Sequence, residues 1–518
     1  MTENRNLPPY RGHFRIDRSN ADDWVTQVPG GYRFRTPDWV SDLIIIQANI
    51  PKVTPEGTFA AAVPVLDHLV RTGVNALWVC PFFENRGNAN TVSHYGNHGP
   101  QTLADDCFRA TDYTGKQKEL QAFVRAAHER NIYVFLDVVT YGLLAASPIY
   151  QAYRNGTDYD GMDVSDWFTG KPLYSGYAFD WKSRSLQEWF ADRMTDLIRL
   201  YDFDGFRVDS EPFYLWYDSD GDGEADRYAD IFSQVRLRVA GFEKQPDGSF
   251  RYPENGNGRL ITVFSEKNNL RDHGYDFEQY GVIHYGKESI LRFQISGGLH
   301  HNWFAERDLA EDVLCGHIAD GKWFESGLKC STAPPSAFRY YTYCISNHDY
   351  HSTAVDRKLW IPVYQAILAP FLPIWYLGEE CGLTDHSGTW LNGIPVRTDE
   401  LLEDPENAAF YDSFRRAIAI RRGYPELFLQ FPDDLRQTNV AGVSCPDFLG
   451  YARFSAAHTA LVLANPSDTG RTGRVRIPAA LLRGEVWTDL MNGNAVRADG
   501  EHTVTCTIPA NGVAVLYC

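Results

Sequence analysis

Residues 201–210, YDFDGFRVDS, place an arginine and an aspartate two positions apart in an otherwise apolar run. Side chains in a β-strand alternate between its two faces, so Arg207 and Asp209 point one way and Phe206 and Val208 the other. A charged pair on the inward face of a strand is costly unless its members are paired or used. These ten residues therefore allow two interpretations, a structural ion pair that closes the strand or a functional site.

Strand-like runs that precede or follow helical patterns surround this stretch. They cover residues 42–47, 75–83, 132–139, 260–266, 341–349 and 373–380. Just before YDFDGFRVDS, the spacing of Leu186, Trp189 and Phe190 predicts an amphipathic helix, with Ser185 and Glu188 as its capping box. About eight strand–helix units predict an α/β fold, a (β/α)8 or TIM barrel, with its active site at the C-terminal ends of the strands.

Changes of pattern along the chain predict the domain boundaries. We expect an N-terminal extension at residues 1–36 and a catalytic barrel at 37–425, with a short, aromatic-rich insertion after the third strand at 143–180. Short alternating runs separated by Gly, Asn and Asp follow from residue 426 onward. They predict a C-terminal antiparallel β-sandwich domain at 426–518.

Composition limits the partners and the compartment. With 49 Lys and Arg against 67 Asp and Glu, the formal net charge is −18, which argues against a nucleic-acid or anionic-membrane partner. No apolar run has the length of a membrane-spanning helix, and the N-terminus lacks the apolar core of a secretory signal. Nine cysteines without a C-x-x-C pair favour a reduced, cytoplasmic protein.

Three of the predicted strands end in an acid: Asp209, Glu266 and Asp349. A barrel would bring these side chains to one rim, although they lie far apart in sequence. Two carboxyl groups that flank a glycosidic bond can act as nucleophile and proton donor, which is what retaining glycoside hydrolysis requires. The sequence therefore indicates glycosidase chemistry at the C-terminal ends of the strands.

The segments that carry these acids resemble those of the α-amylase superfamily, glycoside hydrolase family 13. GFRVDS resembles the family's nucleophile segment, FSEKNN its general-acid segment, SNHD the segment of its third acid, and FLDVV its third-strand segment, in the family's order. PIWYLGEE resembles the family's last strand. The resemblance implies that Asp209 is the nucleophile, Glu266 the acid/base and Asp349 the transition-state stabiliser.

The resemblance also implies the groups that bind the sugar and orient the nucleophile. Arg207 would keep Asp209 ionised and oriented, and His348 would bind sugar hydroxyls at the cleavage subsite. Asp137, in FLDVV, and Phe108, as a stacking floor in CFRATDY, complete the expected substrate-binding set with Tyr141.

Tyr141 marks a departure from the family. The third-strand segment usually continues with Asn and His, but here it reads DVVTYG, so Tyr141 and Gly142 take those places. The family's Asn and His are therefore replaced, and we expect a reshaped cleavage subsite with a bulky aromatic side chain and a void.

A second candidate site is DSDGDGEAD at residues 218–226. Oxygen ligands at alternate positions around a glycine turn suit Ca²⁺, with one ligand offered through a main-chain carbonyl. The alternative is an acidic, solvated loop. The candidate ligands of the ion are Asp218, Asp220, Asp222, Glu224 (through its carbonyl) and Asp226.

The expected function is a retaining α-glycosidase that acts on an α-linked glucan or gluco-oligosaccharide. A transglycosylase or glucosyl isomerase uses the same covalent intermediate, so the sequence leaves this alternative open. A non-catalytic, amylase-like binding protein is a third alternative, against which all three acids argue.

Overall fold

The computed structural model describes residues 7–28, 31–35, 37–89, 93–209, 231–265, 291–294, 340–344, 348, 359–360, 362–368, 372–383, 396–429 and 439–518. The chain divides into two compact units. The first comprises Met1–Val40, Ile45–Phe293 and Ser387–Val396, and the second comprises Ser41–Ile44, Gln294–His386 and Arg397–Cys518.

The described strands are numbered in chain order. They are β1 Arg15–Ile16, β2 Val25–Val28, β3 Gly31–Phe34, β4 Ile45–Ala48, β5 Ala76–Val79, β6 Tyr133–Val139, β7 Gly142–Leu143, β8 Phe168–Leu173, β9 Gly176–Phe179, β10 Gly205–Asp209, β11 Glu243–Lys244, β12 Phe250–Arg251, β13 Gly258–Arg259, β14 Thr262–Ser265, β15 Leu291–Gln294, β16 Tyr340–Cys344, β17 Leu372–Tyr376, β18 Val440–Gly442, β19 Leu449–Phe454, β20 Thr459–Ala464, β21 Arg471–Arg476, β22 Val486–Asp489, β23 Ala495–Arg497, β24 Thr503–Ile508 and β25 Val513–Tyr517.

The described α-helices follow the same convention. They are α1 Ala21–Trp24, α2 Phe59–Ala62, α3 Val65–Thr72, α4 Tyr113–His128, α5 Pro148–Asn155, α6 Arg184–Tyr201, α7 Ile231–Val239, α8 Thr398–Leu401, α9 Pro405–Gly423 and α10 Pro425–Phe428. Among the residues described, no helix combines the length and apolar character needed to cross a membrane.

A parallel sheet forms the centre of the first unit. Its strands neighbour one another in the order β4–β5–β6–β10–β14–β15, and each pair is parallel. Strands β4, β5, β6 and β10 are buried along their whole length. This burial explains why their sequences are nearly continuous apolar runs, as is usual when both faces of a parallel sheet are covered.

Close packing between β10 and β14 explains the glycine of the DGFRVD motif. Gly205 has φ +157°, and a Cβ atom built on it would lie 1.7 Å from the carbonyl oxygen of Thr262. Any side chain at this position would therefore clash with the neighbouring strand. Glycine is the residue that fits this approach.

The helix before β10 forms as its apolar spacing predicts, but its N-cap differs from the sequence prediction. Helix α6 begins at Arg184, and the side chain of Ser183 accepts a hydrogen bond from the amide of Leu186. The expected capping box of Ser185 and Glu188 is wrong, because Ser185 lies inside the first turn, where its hydroxyl accepts a 2.7 Å hydrogen bond from Trp167. Glu188 instead binds Arg238 and Lys244.

The N-terminal segment packs on the first unit through a buried carboxylate of the opening motif. The hydroxyl of Tyr10 donates to Asp204 at 2.6 Å, and the amide of Val134 donates to the same carboxylate at 2.7 Å. Further along, apolar residues of the β2–β3 hairpin share a core cluster with Leu237 and Phe250. The Tyr10 contact fastens the segment near the start of β10, and the hairpin packs on the cluster that contains Leu237 and Phe250.

The expected insertion region contains α5 and a small antiparallel sheet with strand order β7–β9–β8. In the second unit, β16 and β17 form a parallel pair. The C-terminal residues form a six-stranded sheet, β18–β19–β20–β25–β22–β23, and a two-stranded sheet, β21–β24. Residues of both sheets share one apolar cluster, which includes Leu461, Trp487 and Val504.

Candidate active site

The candidate active site lies at the C-terminal ends of β5, β6 and β10. In the parallel pairing of β10 with β6, Arg207 lies opposite Asp137 and Asp209 lies opposite Val139. The alternation of side chains predicted from the sequence is confirmed, because Arg207 and Asp209 contact each other. The register of two neighbouring strands therefore sets Asp137, Arg207 and Asp209 side by side.

Arg207 bridges two carboxylates in the interior of the protein. Its Nη1 atom lies 2.8 Å from Asp209 Oδ1 and 3.1 and 3.2 Å from the two carboxylate oxygens of Asp137. The guanidinium lies 4.8 Å from the ring centroid of Trp78. Only 1% of the arginine side chain is exposed, so its charge is held by these neighbours and is little screened by solvent.

Asp137 is the most enclosed member of the group. Its Oδ2 atom accepts hydrogen bonds from the Trp78 indole at 2.9 Å and from the hydroxyl of Tyr95, in addition to the contacts with Arg207. Burial raises the pKa of Asp137 to about 6, although the charge of Arg207 and these hydrogen bonds act in the opposite direction. Asp137 is therefore fixed in place and fully buried, which suits a group that supports Arg207 better than the substrate-binding group expected from the sequence.

Asp209 differs from Asp137 in its access to solvent. Its side chain is 13% exposed, whereas that of Asp137 is fully buried. The backbone carbonyl of Asp209 accepts a 2.6 Å hydrogen bond from the hydroxyl of Thr140, and the Thr140 carbonyl accepts one from Trp181 at 3.0 Å. The end of β10 is thus anchored. Of the two carboxylates in the described group, that of Asp209 is the more accessible to solvent.

Tyr95 is a site residue that the sequence analysis missed. It lies in the loop between β5 and α4, is half-buried, and donates its hydroxyl to Asp137. Burial, followed by the charge of Asp137, raises the pKa of Tyr95 well above its usual value, so the phenol remains a donor. An aromatic residue in a polar, glycine-containing loop after a strand of the parallel sheet was the available signal.

The expectation for Phe108 is corrected by the structure. Its ring is only 5% exposed and packs against Phe59, at 5.1 Å between ring centroids, and Phe82, at 6.2 Å. A stacking floor needs an open face, and this ring is enclosed by other aromatic rings. Phe108 therefore belongs to the apolar core of the first unit.

Tyr141 and Gly142 lie next to the site but do not form an open space. The Tyr141 side chain is buried and donates a 3.1 Å hydrogen bond to the backbone carbonyl of Tyr95. Burial raises the pKa of Tyr141 to about 12. The expected void at Gly142 is wrong, because this residue pairs with Ala178 of β9, and a Cβ on it would lie 1.8 Å from the carbonyl oxygen of Tyr177.

The structure does not describe the remaining predicted site residues together with this group. His348 belongs to the second unit and is buried. Glu266 and Asp349 lie outside the described residues, as do the candidate calcium ligands Asp218, Asp220, Asp222, Glu224 and Asp226. The described part of the candidate site therefore consists of Trp78, Tyr95, Asp137, Arg207 and Asp209.

Fold and site together define an α/β protein with an ionic site at the C-terminal ends of a parallel sheet. A sequence profile described as "Alpha amylase, catalytic domain" matches residues 15–201. A cyclomaltodextrinase of Geobacillus thermopakistaniensis is 24% identical over 93% of this chain and 78% of its own length. A trehalose synthase of a Pimelobacter species is 29% identical over 27% of this chain and 23% of its own length.

The fold comparison agrees with the sequence comparison. The maltogenic α-amylase AmyB of Thermotoga neapolitana matches with a TM-score of 0.63 and 14% identity, over 92% of this chain and 99% of AmyB. Residues 15–201 are thus similar to an α-amylase catalytic domain, and the chain has the fold of the solved α-amylases. It spans about 30% of the length of several of the curated relatives that it matches.

Proposed function

We propose that the protein is a retaining α-glycosidase that acts on α-linked glucans or gluco-oligosaccharides. The observation that carries the proposal is Arg207 Nη1, which contacts both the enclosed Asp137 and the accessible Asp209 at the ends of neighbouring strands. An arginine in contact with a carboxylate favours its ionised form. An ionised, oriented carboxylate is what attack on an anomeric carbon requires.

In the proposed reaction, Asp209 attacks the anomeric carbon and Glu266 protonates the departing glycosidic oxygen. The glycosidic bond breaks as the bond between the sugar and Asp209 forms, and the electron pair of the broken bond stays on the leaving oxygen. Water then attacks the glycosyl-enzyme, gives its proton to Glu266 and releases Asp209. Asp349 stabilises the charge that develops on the sugar, and His348 binds its hydroxyls.

Contacts within the first unit favour a positioning role for Asp137, Tyr95 and Trp78, which hold Arg207 in place. The two hydrogen-bond donors and Arg207 hold the carboxylate of Asp137 from three directions. Arg207 is thereby prevented from rotating away from Asp209, because it would leave a buried carboxylate without its cation. We propose that this arrangement fixes the nucleophile before the substrate binds.

We further propose that the catalytic part is a complete (β/α)8 barrel with the 143–180 insertion and a C-terminal β-sandwich. The six parallel strands of the first unit, the parallel pair of the second and the fold likeness to AmyB support this proposal.

For the loop at residues 218–226 we propose a structural Ca²⁺ site, on the sequence argument that alternating oxygen ligands surround a glycine turn. The ion would hold the segment that follows the nucleophile strand.

The test of function is a panel of α-linked di- and oligosaccharides, with products separated by chromatography and the first-formed anomer followed by NMR. A product with retained α configuration is expected. A β-configured first product would contradict the mechanism, and no turnover of any glucoside in the panel would favour the non-catalytic alternative.

A second candidate, a transglycosylase or glucosyl isomerase, is favoured by the 29% identity with a trehalose synthase. In that reaction a sugar hydroxyl replaces water in the second step. Incubation with maltose separates the two: glucose alone indicates hydrolysis, whereas a new disaccharide or longer oligosaccharide indicates transfer.

A further inference from the structure

Three potential metal ligands form a cluster that plays no part in the proposed glycosidase chemistry. His94 precedes Tyr95 in the loop after β5, and Asp106 and Cys107 lie in the short 3-10 helix Asp105–Cys107 before α4. The side chains of His94 and Cys107 are buried, whereas that of Asp106 is 46% exposed. One nitrogen, one oxygen and one sulfur atom from these residues lie within 4.8 Å of one another.

The orientation of His94 is fixed by a contact on the far side of its ring. Its Nδ1 atom lies 2.7 Å from the backbone carbonyl oxygen of Phe83. A carbonyl oxygen can only accept a hydrogen bond, so Nδ1 carries a proton. In the neutral ring the Nε2 lone pair then faces Asp106 and Cys107. A backbone carbonyl that holds the distal nitrogen in this way is a common feature of metal-binding histidines.

The separations between the candidate ligand atoms fit a tetrahedral Zn²⁺ ion. Zn–N and Zn–O bonds of about 2.0–2.2 Å and Zn–S bonds of about 2.3 Å place neighbouring ligands about 3.4 Å apart for N and O and about 3.6 Å apart for N and S. His94 Nε2 lies 3.4 Å from Asp106 Oδ2 and 3.6 Å from Cys107 Sγ. Cys107 Sγ also lies 3.7 Å from the second carboxylate oxygen of Asp106, Oδ1.

We propose that His94, Asp106 and Cys107 bind Zn²⁺, with the fourth coordination position taken by water on the exposed side of Asp106. Imidazole and thiolate are ligands that zinc prefers over calcium or magnesium. The Cys107 thiol loses its proton to solvent when the ion binds. This site differs in position and ligand type from the calcium loop, and it does not depend on the proposed function.

The site would connect the loop that carries His94 with the 3-10 helix Asp105–Cys107. His94 is adjacent to Tyr95, whose hydroxyl binds Asp137, and Cys107 is followed closely by α4. The nearby Lys116 directs its ammonium group to other partners, Asp105 at 2.5 Å and the Leu103 carbonyl at 3.0 Å. Bound zinc would therefore stabilise the loop that positions Tyr95.

The experiment is a Co²⁺ titration of the metal-stripped, full-length protein in excess Ca²⁺. Co²⁺ replaces Zn²⁺ in tetrahedral sites and gives a thiolate-to-metal charge-transfer band only when sulfur is a ligand. We expect this band to saturate at one equivalent and to disappear when Zn²⁺ is added. Cys107→Ser should remove it, and the matched thiol variant Cys445→Ser, in the C-terminal domain, should keep it.

Asp106→Asn provides a second variant that does not disturb the core, since the side chain is half-exposed. We expect it to weaken Zn²⁺ binding at least about tenfold, as loss of a ligating or supporting group commonly does. His13→Ala tests a separate His–Asp cluster and should leave binding unchanged. The proposal is overturned if no charge-transfer band forms, if Asp106→Asn binds Zn²⁺ as tightly as the wild type, or if His13→Ala rather than Cys107→Ser abolishes binding. A hydrogen-bonded pair of His94 and Asp106 would then explain the cluster.

Discussion

Replacement of Arg207 by methionine should destabilise the protein, and the loss should grow with pH. The substitution keeps an unbranched apolar stem but removes the cation shared by Asp137 and Asp209. Removing one partner of a buried ion pair costs about 3–5 kcal/mol. With an unfolding entropy of about 2.1 cal/mol/K per residue, the chain of 518 residues should lose about 3–5 °C in Tm, and more if a smaller part unfolds as a unit.

The pH dependence follows from the burial of Asp137. In the wild type its pKa is about 6, already above the value of an unfolded chain, and without the guanidinium it should rise further. A carboxyl group whose folded-state pKa is raised stabilises the fold less as the pH rises from its unfolded-state value through its folded-state value. The difference in Tm between wild type and Arg207→Met should therefore widen from about pH 6 to about pH 8.5.

Differential scanning fluorimetry measures this difference in Tm. The pH range lies above the isoelectric point of ≈ 5.3. Arg193→Met is the matched control, because Arg193 pairs with Asp196 at 2.9 Å on the surface. An exposed pair of this kind contributes about 0–1 kcal/mol. A loss for Arg207→Met that is no larger than the control, or that shrinks as the pH rises, would refute the reasoning.

Three further predictions concern catalysis, metal binding and specificity. Asp209→Asn should abolish turnover while its circular dichroism spectrum stays that of the wild type. The control variant Asp196→Asn should keep full activity. Glu266→Gln should retain activity only on substrates with good leaving groups. Removal of Ca²⁺ should lower Tm and its return should restore it, with a gain in unfolding free energy of about 2.7 kcal/mol at 100 times its Kd, and Asp220→Ala should lose this response to Ca²⁺. Because Tyr141 and Gly142 replace the usual Asn–His pair, starch should have a lower kcat/KM than short α-glucosides; equal values on starch and every short substrate would contradict this.

The sequence identified those parts of the site that follow from strand periodicity. Arg207 and Asp209 share one face because they are two residues apart. Asp137 was expected from the family resemblance instead, and the structure shows that its strand is the parallel neighbour of theirs. Tyr95 could not be predicted in this way, since its position depends on the fold of a long loop and not on a repeating backbone.

Aromatic residues near the site were harder to interpret than acids. A phenylalanine has the same sequence signature whether its ring is buried or exposed for stacking. The ring of Phe108 is shown to be enclosed only by its contacts with Phe59 and Phe82. A buried carboxylate such as Asp137 has few alternatives, because it must find a cation or hydrogen-bond donors. Ionic groups therefore constrain a prediction more tightly than apolar ones do.

The tight contact at Gly142 bears on how the family's usual Asn–His pair could be recovered by mutation. A histidine at position 142 would need a Cβ atom where the Tyr177 carbonyl oxygen lies, 1.8 Å away. Replacing this residue alone would therefore give a misfolded loop before it could give a new sugar contact. The β8–β9 turn would have to change first, so the substitutions would have to occur in a fixed order, both in protein engineering and in evolution. A larger residue can replace Gly142 only after the backbone at Tyr177, across the sheet, has moved.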